Sequence, residues 1–218
     1  MSTLGTLAGA TPVQTPETPK HDRVPIRGIK NGEHVEVIPY DGRMDKAADK
    51  FLPWFWNRLK DSGLLELYYP GMGATSFTTF ARMLSGDVKV ILFVIMDDAR
   101  EVQDCVGFAT WSPLDFAGYL VGNAGFIFLP EYWDRQTTVD ATKVGMKFWF
   151  DEMTPRLDLA VGMNPEGNHL VQRFLHRIGW TRVGTLPIPQ LYAGQSSDTV
   201  LWYYTRAQYM LDREKGGQ

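Results

Sequence analysis

Residues 88–96 read VKVILFVIM, a run rich in β-branched and aromatic side chains, free of Gly and Pro, and of the length of one central strand. A central strand must have partners on both sides. Asp97 and Asp98 supply turn chemistry directly after it, so residues 105–111 (CVGFATW) are expected to return as its antiparallel neighbour. Residues 125–129 (GFIFL), halted by Pro130, and residues 157–163 (LDLAVGM) predict two further strands, and residues 182–186 and 199–205 a final pair. A weaker period of two over residues 34–40, closed by Asp41 and Gly42, predicts the first strand.

Between these strands the apolar period changes to that of a helix. Ala48, Phe51, Leu52, Phe55, Trp56 and Leu59 share one face, with Pro53 expected to kink the helix and Gly63 to end it. Thr75 and Ser76 read as N-caps for a short helix carrying Phe77, Phe80, Ala81 and Leu84, with Gly86 beyond its end. Residues 139–153 and 168–178 complete the set. The predicted order is β-α-α-β-β-β-α-β-α-β-β, an α/β (α+β) domain whose mixed, mostly antiparallel sheet is flanked by helices.

Domain limits follow from composition. Residues 1–23 are rich in Thr, Gly, Ala and Pro and read as a flexible arm, residues 24–210 as one domain, and residues 211–218 as a tail. With 218 residues, 44% of them hydrophobic, a single sizeable core is expected. A net charge of −3 removes the long-range attraction that nucleic-acid binding uses, and no apolar run is long enough to span a membrane. The single cysteine, Cys105, excludes an internal disulfide and a zinc site built from several thiolates, and the N-terminus lacks a signal-peptide pattern. A cytoplasmic protein without a metal site is the expectation.

Two stretches carry a family resemblance. Phe128, Pro130, Glu131, Tyr132 and Trp133 are similar to the cofactor motif of the GNAT N-acetyltransferase superfamily, in which an apolar residue, any residue, Pro and two residues precede Arg or Gln-x-x-Gly-x-Gly/Ala. Trp133 stands at the Arg or Gln position, and residues 130–133 (PEYW) resemble the branch that acetylates ribosomal-protein N-termini. Downstream, Asn168, Leu175 and Gly179-Trp180 match the spacing of the superfamily's Asn, Tyr and Gly-Phe in its last helix. The resemblance implies a GNAT-like sheet, acetyl-CoA as cofactor, and N-acyl transfer to an amine of a protein or small molecule.

Its site residues carry over as expectations. Phe128, Leu129, Arg135, Gln136, Thr137, Thr138 and Asn168 would bind the cofactor, with backbone N–H groups at a helix N-terminus cradling its pyrophosphate. Glu131 would be the base that takes the ammonium proton. The departures are specific. Asp134, Gln136 and Thr138 fill positions where small residues let the backbone approach a phosphate, and Leu175 replaces the tyrosine acid. Side-chain donors on residues 135–138 are then expected to bind in place of bare backbone. Asn168 reads equally as an ordinary N-cap, and Asp140 as a charge stabilising the first turn of its helix.

Other polar and aromatic residues read as structural. His169 and His176 share a solvated helix face, and Cys105 is a packed core residue. Trp54, Trp56, Tyr68 and Tyr69 either serve the core or line an acceptor cleft. The alternative to catalysis is an inactive GNAT-fold interaction protein docking a protein partner through residues 1–23. Chains diverged in this way are similar to acetyltransferase-like proteins of tailed phages, which implies a virion-associated or host-directed role.

Overall fold

A computed structural model describes residues 30, 32–40, 48–65, 76–84, 89–116, 118–192 and 194–216. The expected arm, together with Thr75, Gly86, Tyr68 and Tyr69, lies outside the described residues. The elements are β1 (Glu33–Tyr40), α1 (Ala48–Asp61), α2 (Phe77–Leu84), β2 (Lys89–Asp97), β3 (Val102–Phe116), β4 (Tyr119–Phe128), a 3-10 turn (Pro130–Tyr132), α3 (Gln136–Lys147), a π-type turn (Phe148–Glu152), β5 (Leu159–Pro165), α4 (His169–Arg177), β6 (Thr181–Tyr192), β7 (Gln195–Thr205) and α5 (Arg206–Gly216). The predicted order holds as far as β7. The expected tail is mostly helix, because α5 is fastened by Tyr204 to Asp212 (2.6 Å) and by Tyr209 and Arg213 to Asp151 (2.9 and 2.7 Å).

The strands form one seven-stranded sheet in the order β1-β2-β3-β4-β5-β7-β6. Every pairing is antiparallel except β4 with β5. Residues 90–96 of β2 are all buried, as a strand covered on both faces requires. On one face α1 and α2 bring Phe55 and Phe80 against Phe108, with ring centroids 5.1 and 6.2 Å apart. On the other, α3 lies so close that a Cβ on Gly145 would sit 2.8 Å from the Phe93 ring. Phe93 stacks on Phe128 at 5.4 Å, which carries this second core towards β4 and α4.

Several boundaries differ from the sequence reading for local reasons. β4 begins at Tyr119, six residues before the GFIFL run, in a stretch where Gly122 and Asn123 mask the apolar alternation. β6 and β7 form a long hairpin instead of two short strands, and the register slips between Leu186 and Gln190, where Pro187 and Pro189 cannot donate to a ladder. Pro53 sits inside a continuous α1, and Gly63 follows that helix with a positive φ of 69°. Ser76 caps α2 by accepting from the Thr79 N–H at 3.2 Å. Asp140 lies in the second turn of α3, bonded to Gln136, and no acidic residue occupies the first turn.

Candidate functional site

β4 and β5 pair over three positions only, Val121↔Leu159, Gly122↔Ala160 and Asn123↔Val161. Both strands run on beyond that point without pairing, β4 to Phe128 and β5 to Pro165, so the sheet splits into a V. Trp180 packs beneath the split: a Cβ on Gly162 would lie 3.1 Å from its ring, and Phe126 meets it edge to face at 5.9 Å. The gap opens into a cavity of about 740 Å³ walled by β4, β5, α4, the loop before α3 and the β6 end of the last hairpin.

Strand alternation sets which backbone groups face this gap. The Leu129 N–H bonds to the Val106 carbonyl on β3 at 3.0 Å, so the odd residues of β4 look toward β3 and the even ones toward β5. Phe126 and Phe128, beyond the last paired position, therefore turn N–H and C=O groups into the cleft, where β5 no longer pairs with them. One of these is taken: the Trp133 indole folds back and donates to the Phe128 carbonyl at 2.8 Å. Opposite the end of β4, β3 carries a bulge in which Val106 has no partner on β2.

The loop leading to α3 departs from the sequence expectation in an instructive way. Asp134, at a position where the resemblance expects glycine, has φ 56° and so keeps the left-handed backbone that a glycine would adopt freely. Gln136 and Thr138 are already helical, so their side chains do not restrict the backbone; they only take up space. Their donors are committed elsewhere. The Thr138 hydroxyl donates to the Tyr132 carbonyl, Gln136 donates to Asp140 at 2.9 Å, and Thr137 is buried. Of the expected side-chain donors, only Arg135, exposed at the cavity mouth, is left for a ligand. The start of α3 has no side-chain cap, which leaves its first N–H groups for an anion.

Glu131 does not line the cavity. Its buried carboxylate pairs with Arg58 of α1, across the sheet from α4, and Arg58 in turn lies over the Trp54 ring at 5.3 Å. Where a base was expected, Glu131 is a carboxylate that ties the turn after β4 to α1 and stands outside the cavity. Leu129 is wholly buried and bonded to β3, also away from the cavity. Phe128, Arg135, Thr138 and Asn168 do line it. Asn168 caps α4, its Oδ1 accepting from the Val171 N–H at 3.2 Å. Leu175 is buried against the cavity and offers no proton.

Among the described residues the lining contains no histidine, lysine or glutamate, and its charged groups are Asp134, Arg135, Arg173 and Arg177. Tyr192, from the β6 end, is its one phenol. The sequence reading missed Arg173 and Arg177, although their spacing of four on a short helix was visible as a signal. His169 and His176 are exposed, and among the described residues no group of three His, Cys, Asp or Glu could hold a metal. Burial, reinforced by Asp104, pushes the Cys105 thiol up to about 12 against the pull of a bond to the Gly107 carbonyl, which keeps it protonated in the core. Among the described residues no helix is long and apolar enough to cross a membrane.

No family model matches the sequence, and no curated protein does. Solved structures do match. A spermidine N-acetyltransferase from Vibrio cholerae in complex with CoA and spermine superposes with a TM-score of 0.60 over 83% of this chain and 99% of that chain, at 11% identity. A chimera of that enzyme and hSSAT gives 0.58 over 80% and 98%, at 14% identity. The Vibrio cholerae SpeG enzyme with manganese ions gives 0.57 over 85% and 99%, at 11% identity. With the split sheet, these likenesses define the architecture: the chain has the GNAT acetyltransferase fold.

Proposed function

We propose that this chain binds an acyl-coenzyme A, acetyl-CoA in the simplest case, in the gap between β4 and β5 and transfers the acyl group to an amine. The observation that carries the reading is the split itself, with the two motif stretches, 128–138 and 168–180, lying on either side of one cavity. Its volume of about 740 Å³ suits a cofactor-sized ligand. The residues present fit such a group: unpaired backbone on β4, an uncapped α3 N-terminus and an apolar wall from Phe126, Phe174 and Leu175. Bound there, the cofactor supplies a thioester as acyl donor.

The chain's own part is to hold and orient. The N–H groups of Phe126 and Phe128, directed into the gap by strand alternation, would hold a carbonyl oxygen as charge develops on it. The first N–H groups of α3 would receive phosphate oxygens. On this reading the acceptor nitrogen loses its proton to water, since the described lining residues place no carboxylate or imidazole deep in the cavity.

Titration calorimetry with acetyl-CoA tests the reading directly, and no heat at millimolar cofactor would remove it. Thiol release with a panel of amines then checks the chemistry. The expected rate rises with pH as the acceptor amine itself deprotonates and shows no earlier enzyme ionisation; a separate rise near neutrality would mean that a base serves the cleft.

A further inference from the structure

The charged groups at the cavity mouth come from two elements that face each other. Asp134 and Arg135 precede and open α3, while Arg173 and Arg177 stand one turn apart on α4. Arg177 spans the mouth: its Nη1 lies 3.6 Å from Asp134 Oδ1, and its Nη2 donates to Gln136 Oε1 at 3.3 Å. Both contacts are long for a guanidinium, and the Asp134 side chain is 88% exposed, so solvent screens the pair. Arg177 is therefore parked over the start of α3 by partners that a more highly charged anion would displace.

The opposite wall explains why such a group is needed. Trp133 stands where the resemblance expects Arg or Gln, and its one donor is directed to the Phe128 carbonyl. Thr138 and Gln136 have given their donors to Tyr132 and Asp140. Positive charge at this end of the cavity thus comes from Arg135 and from α4.

We infer that Arg173 and Arg177, joined by Arg135, are the phosphate-binding side chains of this cleft, and that Asp134 is a built-in stand-in anion which occupies Arg177 until a phosphate ester replaces it. The inference rests on the acyl-coenzyme A reading. The ligand chemistry is a phosphate ester or diphosphate, for whose acceptor oxygens arginine supplies a planar fork of donors better than any other side chain. Displacement of Asp134 makes the bound state more salt-sensitive than the resting pair, because a multiply charged anion replaces a single carboxylate.

The test is calorimetry on the full chain with coenzyme A, dephospho-coenzyme A, pantetheine and inorganic phosphate. Arg177→Gln should weaken coenzyme A binding roughly tenfold or more and flatten its salt dependence, and Arg173→Gln should do the same to a smaller degree. Asp134→Asn should tighten coenzyme A, since asparagine tolerates the same left-handed backbone while removing the competing charge. Pantetheine, which has no phosphate, should bind all variants alike. If Arg177→Gln and Asp134→Asn bind coenzyme A as the parent does, the inference falls and the acyl-coenzyme A reading stands. No binding by the parent removes both. Inorganic phosphate competing at the concentration at which coenzyme A binds would assign the arginines to free phosphate and overturn the cofactor role. Thermal melts of each variant separate lost contacts from lost folding.

Discussion

The two walls of the cleft are built on different principles. On the β4 side the polar side chains are turned back into the protein: Trp133 onto the Phe128 carbonyl, Thr138 onto the Tyr132 carbonyl and Glu131 onto Arg58. On the α4 side the backbone is closed by an Asn168 cap, and long cationic side chains are presented to the opening. The side chains of one wall are held by partners within the protein, and those of the other are adaptable. The contrast implies that the first wall offers a ligand its backbone and the second its side chains, so side-chain substitutions in the first wall should chiefly cost stability and those in the second chiefly cost affinity.

The strongest way to break this contrast is to add one methyl group behind each side of the gap, at Gly107 of β3 against the end of β4 and at Gly162 of β5 against Trp180. At Gly107 a Cβ would lie 2.1 Å from the Ile127 carbonyl oxygen and 2.9 Å from Phe128 Cα, backbone atoms that no rotamer change can move. Gly107→Ala should therefore cost about 3 kcal/mol or more and loosen the end of β4. At Gly162 the nearest atom is on the Trp180 ring, 3.1 Å away, which can shift by tenths of an ångström. Gly162→Ala should cost only about 1 kcal/mol. Urea melts of the pair measure the difference, and equal costs would mean that the two sides of the gap are equally rigid.

Legibility in the sequence followed the same division. The core strands were visible because burial on both faces writes an unbroken apolar run, as in residues 90–96. The α4 stretch was visible because Leu170, Val171, Phe174, Leu175 and Ile178 keep a helical period and a turn glycine, Gly179, follows at φ 84°. What spacing could not reveal was direction. Gln136, Thr137 and Thr138 are residue types able to bind phosphate, yet their donors or their burial commit them to the protein. Nothing in a linear pattern distinguishes a carboxylate that faces a cleft from one that, like Glu131, crosses to a helix 73 positions earlier in the chain. C-terminal α5 escaped because it has a weak apolar stripe and depends on tertiary anchors such as Asp151.

The next effect in size concerns the Glu131 and Arg58 pair. The Glu131 side chain is only 5% exposed, so Arg58→Ala strands a buried carboxylate and should cost about 3 kcal/mol. Placing Glu131→Gln in the same chain removes the stranded charge and should return most of that loss, giving a large coupling in a double-mutant cycle. Additive losses would show that the pair does not fasten the turn after β4 to α1, and the first wall would lose one of its three internal contacts.

Trp133→Phe is the smallest change and the most discriminating. It keeps an aromatic ring beside the gap but deletes the donor to the Phe128 carbonyl, a single hydrogen bond whose loss should cost about 1 kcal/mol and lower the melting temperature by about 3 °C for a chain of this size. The freed carbonyl then faces the cleft on the β5 side of β4, where it can accept from an amide of a bound ligand. Stability and affinity should accordingly move in opposite directions, with the melting temperature falling while pantetheine binds more tightly. If both fall together, the indole is itself a ligand contact. The first wall would then take part in recognition, and the division between the walls would have to be redrawn around Trp133.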